Sequence, residues 1–168
     1  MKVQDLTRIA LLVAMNCVSA YIIIPVPFSM SPIALQTLLV NIVALLLPVK
    51  QAFLVMLVYL LLGLAGVPVF TGGTGGPGKL FGPTGGYIWG FLPAVVLMAV
   101  LRGKKYNFWR YGAVTLCVGI PVIYVAGLWQ LMWLTGINFW EAFLMGAAPF
   151  LPGDVIKALG AAYIVRRL

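Results

Sequence analysis

The sequence predicts an all-α integral membrane protein with six transmembrane helices and both termini cytoplasmic. Three observations carry that expectation. Hydrophobic residues make up 63% of the 168 and charged residues only 8%, with mean hydropathy +1.10, against roughly 45–50% and about 25% in soluble domains. The apolar residues come in runs of the length a spanning helix needs, about 20 residues. Lysine and arginine gather at alternate boundaries of those runs, the bias that orients helices in a bilayer. We expect one transmembrane domain over residues 1–168.

Each element follows from what interrupts the apolar runs. No charged residue lies between Arg8 and Lys50, room for two passes, and Pro25, Pro27 and Pro32 divide the run. This predicts helices over about 6–24 and 32–48, the second ending near Pro48, and a third over about 50–65. The next stretch, GVPVFTGGTGGPGKLFGPTGGY from Gly66 to Tyr87, holds nine of the nineteen glycines together with Pro68, Pro77 and Pro83. Such a segment cannot be helix interior. Its Val67, Val69, Phe70, Leu80 and Phe81 favour burial, so it reads as a long loop folded back onto the protein. A fourth helix is expected over about 84–101, stopping at Arg102, Lys104 and Lys105. A fifth begins after Arg110 and runs to about 134, with Pro121 expected to kink it. The remainder, 139–168, contains Pro149, Pro152 and Gly153 and then a final helix.

Charge placement tests the count. With both termini inside, Lys2, Arg8, Lys50, Arg102, Lys104, Lys105, Arg110, Arg166 and Arg167 are cytoplasmic, nine against Lys79 alone outside. Five spans would place one basic terminus on the wrong side. The same orientation sets the 25–31 loop, the glycine-rich loop and the 135–150 segment on the external face. The net charge of +8 is thereby read as topology, not as a nucleic-acid surface. No cleavable signal peptide is evident, because no small-residue cleavage site follows the first apolar residues. Cys17 and Cys117 lie inside apolar runs, as small packing residues do.

Asp154 and Lys157 are the sharpest chemical signal. Counted back from Arg166, they lie roughly 18 and 13 Å deep, near the middle of a core about 30 Å thick. Ionisable groups there mark a functional site by default, and their i, i+3 spacing lets them pair. The plainer alternative is a helix cap after Pro152-Gly153 with a counter-ion beside it. Gly73-x-x-x-x-Gly78-Lys79 imitates a phosphate-binding loop. Leu80 stands where the magnesium-binding hydroxyl is required, and Pro77 lacks an N–H, so it is no nucleotide site. Ala10-xxx-Ala14 places two small residues on one helix face. Gln36, Asn16 and Asn41 are polar residues within spans, suited to interhelical hydrogen bonds or to a ligand. Most of Trp89, Trp109, Trp129, Trp133, Trp140 and Tyr163 suit interfacial belts, while Tyr87 opens a helix directly after GPTGG and can face whatever the loop covers. There is no histidine, no catalytic constellation and no metal-ligand cluster. The expectation is a protein that binds and moves something, not an enzyme, with no cofactor and no metal.

These landmarks together resemble a family, the biotin-binding substrate subunits (BioY) of energy-coupling-factor (ECF) transporters. The resemblance lies in Leu35-Gln36-Thr37, in Tyr59-Leu-Leu-Leu-Gly63 leading to Gly66-Val-Pro-Val-Phe70, in Gly82-Pro-Thr-Gly-Gly-Tyr87, and in Pro149-Phe-Leu-Pro-Gly-Asp154-Val-Ile-Lys157. It implies the ECF substrate-subunit fold, multi-pass in the plasma membrane of a prokaryote. It implies capture of biotin from outside, with transport driven by a coupling transmembrane subunit and two cytoplasmic ATPase subunits. It also implies that Ala10 and Ala14 contact the coupling subunit, and that Asp154 and Lys157 belong to the biotin site. On that basis Asp154 would accept from ureido N–H groups and Lys157 would offset its charge and donate to the ureido carbonyl or tail carboxylate. Gln36 and Tyr87 would add polar contacts, and Phe70 an enclosing wall. Lys79 has no place in the pattern. A subunit for another vitamin on the same scaffold, a stand-alone secondary transporter using Asp154 as a proton relay, and a ligand-free assembly protein are the competing readings.

Overall fold

The computed structural model describes residues 3–25 and 33–168, and these form a helical bundle. Helix α1 spans Val3–Ser19 and buries Ile9, Leu12, Val13 and Asn16, a stripe at helical spacing. Its other face, including Ala10 and Ala14, is exposed. Helices α2 (Gln36–Leu46) and α3 (Val49–Leu64) follow, separated at Leu47-Pro48. Next come the glycine-rich loop with one short turn, α4 (Pro77–Leu80), and then α5 (Gly85–Leu101). A continuous helix crosses Phe108–Thr135, made of α6 (Phe108–Val114), a π-helical turn at Thr115–Gly119 and α7 (Ile120–Thr135). The chain closes with α8 (Phe139–Gly146) and α9 (Leu151–Val165), which meet at 55°.

Three expectations need correction. The first helix ends at Ser19 instead of near 24, and the second begins at Gln36 instead of 32. Between them, strand β1 (Ile23–Ile24) pairs antiparallel with β2 (Ile33–Ala34). The cause is local: three consecutive β-branched isoleucines precede Pro25, which excludes the helical conformation for Ile24. Pro27, Pro32 and most of the predicted 25–31 loop lie outside the described residues. In place of the kink expected at Pro121, the helix carries a π turn just before it and runs on as one span. The Pro121 ring cannot tolerate a regular helical carbonyl four residues back, and the widened turn makes room.

Small residues set the tightest packing. Gly86, Gly90 and Ala94 form a buried stripe at i, i+4, i+8 on α5 and pack along α7. A Cβ on Gly86 would lie 2.3 Å from the Ala126 carbonyl oxygen, and one on Gly90 would lie 3.0 Å from Ile123 Cα. Elsewhere α2 lies along α9, and α3 against α1 and α5. The outer surface carries exposed Leu11, Val18, Leu61, Val100, Val125, Trp109, Trp129, Trp133 and Ile156, far more apolar area than a water-facing monomer presents. Phe108–Thr135 is long and apolar enough to cross a membrane, and the bent α8–α9 pair passes the same test together. Helices α2, α3 and α5 are apolar but shorter.

The glycine-rich loop is folded back, as its apolar residues require. Val69, Phe70 and Leu80 are buried, whereas Val67 and Phe81 stay exposed. Phe70 and Thr74 bond to each other in both directions, N–H to C=O at 2.8 and 3.1 Å. The turn between them needs positive φ at Gly72 and Gly73, 79° and 68°. One side of the loop is tied to the end of α1: Gly72 N–H donates to the Ala20 carbonyl at 2.9 Å and Tyr21 OH to the Pro68 carbonyl at 2.6 Å. The other side is tied to α7, where Gln130 Nε2 donates to the Leu80 and Gly82 carbonyls at 2.9 and 2.7 Å.

Candidate substrate-binding site

A cavity with about 670 Å³ of unfilled space, part of it open to solvent, lies between α2, α5, α7 and α9 under the loop. Its walls are mostly apolar, from Ile33, Phe91, Ile123, Leu131 and Phe150 among others. Gln36, Tyr87, Asp154 and Lys157 all line it, so four of the five expected ligand residues converge on one space.

The charged pair and its partners come from four elements. Lys157 Nζ lies 2.7 Å from Asp154 Oδ1, one turn apart on α9. The same ammonium donates to Thr37 Oγ1 at 2.8 Å and to the Ala34 carbonyl at 3.0 Å. That carbonyl faces the ammonium because Ala34 belongs to β2, not to a helix. Irregular backbone of this kind is tolerated within a membrane domain where it lines a cavity. Thr37 OH donates to Asp154 Oδ1 at 3.0 Å, and Tyr124 OH donates to Oδ2 at 2.5 Å. The cap alternative gives way to this cluster: Asp154 bonds side chains from α2, α7 and α9 and makes no side-chain cap.

Counting donors and acceptors defines what the site offers. All three ammonium protons of Lys157 are committed to protein acceptors. Asp154 retains one acceptor position, on Oδ2. Tyr87 OH donates to the Gly146 carbonyl at 2.9 Å, and its ring meets the Tyr124 ring edge-on, centroids 6.1 Å apart.

Phe70 is the exception among the expected residues. It is fully buried and packs edge-on against Tyr59, centroids 5.6 Å apart, over the face of Gly63. It anchors the loop in the core and is not among the residues lining the cavity. Its neighbour Thr71 lines the cavity instead. Among the described residues, buried Asn16 finds no side-chain hydrogen-bond partner and Asn41 Oδ1 accepts none, and neither residue lines the cavity. Lys79, in α4, stands apart from the cavity and is half-buried, which lowers its pKa.

Sequence reasoning gave no role to Thr37, Thr71 or Tyr124. Threonine and tyrosine are ordinary in apolar helices and loops, and none of the three stands out by charge. Tyr124 carried the one usable signal, a hydroxyl in mid-helix, away from the ends where belt tyrosines sit.

A mostly apolar cavity, a few convergent polar groups and a paired charge inside a helical bundle define a small-molecule-binding membrane protein. A model of the BioY family matches residues 1–168. The probable biotin transporter BioY of Pyrococcus horikoshii is 40% identical over 169 residues, covering 100% of this chain and 98% of that protein. Biotin transporter BioY2 of Lactococcus lactis is 37% identical over 94% of this chain and 86% of its own length. Biotin transporter BioY of Thermotoga maritima is 34% identical over 98% of this chain and 95% of its own length. A crystal structure at 2.1 Å of the S-component for biotin from an ECF-type ABC transporter superposes with a TM-score of 0.91 at 30% identity, covering 98% of this chain and 90% of that one. The chain belongs to the BioY family.

Proposed function

We propose that this chain is a substrate-binding subunit that captures biotin for uptake across a prokaryotic plasma membrane. The observation that carries the reading is the Asp154–Lys157–Thr37–Tyr124 cluster at one side of an apolar cavity, in a fold that superposes on a biotin S-component. Biotin has the matching chemistry: a ureido ring with two N–H donors and a carbonyl, an apolar thiophane ring and tail, and a terminal carboxylate. In this reading Asp154 Oδ2 accepts a ureido N–H, and Lys157 offsets the buried charge. Lys157 reaches the ligand only by exchanging its bond to Ala34 or Thr37.

The six spans are α1, α2, α3, α5, α6–α7 and the broken α8–α9 pair, with both termini cytoplasmic as the basic residues require. The short α2 is compatible with this count because β2 precedes it and adds Ile33 and Ala34 to the cavity wall. Mass spectrometry of small molecules released from the purified protein is expected to find biotin. Titration against a panel of vitamins is expected to show biotin preferred. Preference for another vitamin, or no ligand at all, overturns the reading.

Directed transport in this reading needs a coupling transmembrane subunit and two ATPase subunits. Ala10 and Ala14 lie on the exposed face of α1, where a partner helix can approach closely. Replacing both with Trp is expected to abolish co-purification of the coupling subunit and to leave biotin affinity within about twofold, since surface substitutions usually shift free energies by about 0.5 kcal/mol or less. Retained assembly removes α1 from that role.

A further inference from the structure

Gln36 is held at three points by groups outside its own helix. Its Nε2 donates to Tyr59 OH and, at 3.3 Å, to the Val69 carbonyl. Tyr59 OH donates in turn to the same carbonyl at 3.1 Å, so towards Gln36 it can only accept. Thr71 OH donates to Gln36 Oε1 at 2.5 Å. A carbonyl accepts and never donates, so the Val69 bond fixes which end of the carboxamide is nitrogen. Rotating the amide would set oxygen against oxygen at Val69, whereas the Thr71 hydroxyl could turn to accept from the nitrogen, so Val69 is the discriminating contact.

The arrangement is also directional. Tyr59 and Val69, which receive the N–H groups, lie behind the cavity wall, buried and absent from its lining. Gln36 and Thr71 form part of that lining. The Gln36 nitrogen is turned to the wall, where Tyr59 and Val69 accept from it, while Oε1 keeps one lone pair and Thr71 Oγ1 both of its own. The cavity therefore meets acceptors here, at Gln36 Oε1 and Thr71 Oγ1.

We infer that Tyr59 is a positioning residue and Thr71 a specificity-determining one, which together turn Gln36 into a fixed acceptor for an N–H group of the ligand. The inference rests on the biotin reading above, in which the second ureido N–H goes to Asp154 Oδ2. The two ureido N–H groups are then read by two separate acceptors, on the neighbouring helices α2 and α9. Tyr59 acts only through Gln36. Thr71 acts by holding Oε1 forward and by offering its own oxygen.

Binding of biotin and of its two singly N-methylated ureido isomers to the full chain, purified in detergent, tests this. The parent is expected to reject both isomers. In Tyr59→Phe the amide nitrogen loses one of its two acceptors and keeps only the 3.3 Å bond to Val69, so its orientation is held less firmly. Biotin affinity is expected to fall about 10–100-fold while the affinity for one isomer hardly changes, which collapses discrimination against that isomer alone. Thr71→Val is expected to do the same, and Thr71→Ser, which keeps the hydroxyl, to preserve the parental ratio. A purely structural role would weaken all three ligands equally and leave both ratios intact, and that result overturns the inference. Should Tyr59→Phe not fold, the Thr71→Val and Thr71→Ser comparison decides alone, because Thr71 is only part-buried at the cavity edge. Failure of the parent to bind biotin sinks the functional reading instead and is seen before any variant is made.

Discussion

Asp154→Asn is expected to lower biotin affinity by about 100-fold or more, the scale set by stranding one partner of a buried, hydrogen-bonded charge pair. The substitution keeps the shape and removes the charge. Lys157 is left with its Thr37 and Ala34 bonds and no counter-charge. The Tyr124 hydroxyl, 2.5 Å from Oδ2, meets either a weaker acceptor or an amide that competes as a donor. Lys157→Ala strands the carboxylate in the same way and also frees the Ala34 carbonyl. Because the two groups are direct partners, their effects are not additive. The double variant is expected to fold more stably than at least one of the single variants, yet to bind no better than either. Calorimetric titration, with thermal unfolding of each variant as the control, measures both. Parent-like binding by both single variants removes the pair from the ligand site.

Gly86→Ala is expected to be among the most damaging single methyl additions. The new Cβ would sit 2.3 Å from the Ala126 carbonyl oxygen and 2.8 Å from Gln130 Cβ. The first of these is backbone and cannot rotate away, so α5 and α7 must separate. Over-packing costs about 1–3 kcal/mol and occasionally more. Here the separation would also carry Tyr87 away from Gly146 and disturb the Gln130 bonds that hold the loop. Both the melting temperature and biotin binding are therefore expected to fall. Gly78→Ala is the control, since nothing lies within 4 Å of a Cβ at that position. If the two variants melt alike, the α5–α7 contact is looser than its geometry indicates.

What could be read in advance follows the physics of the signals. A carboxylate and an ammonium inside an apolar run are conspicuous because hydrocarbon excludes them, so Asp154 and Lys157 were legible without a structure. The loop was legible for the opposite reason, since its glycines and prolines forbid a helix. Phe70 was misread because a large aromatic beside a cavity and one beneath it satisfy the same demand for burial. Its ring filled the space left by Gly63, and the less conspicuous Thr71 took the wall. Thr37 was silent, and Tyr124 gave only its mid-helix hydroxyl, because one hydroxyl adds little to composition while its value depends on meeting Asp154 across 117 or 30 residues of chain. The break at β1 and β2 was half visible. The prolines divided the helices, but the pairing that displaced the helix ends is a tertiary contact.

The loop's two moorings, to Ala20 and Tyr21 on one side and to Gln130 on the other, have a kinetic meaning. Thr71, the loop residue on the cavity wall, is expected to lift only as far as the Gly72–Ala20 and Gln130–Gly82 bonds allow. Residues that never touch the ligand are then expected to set how fast it exchanges. Loosening either mooring is expected to speed entry and escape together.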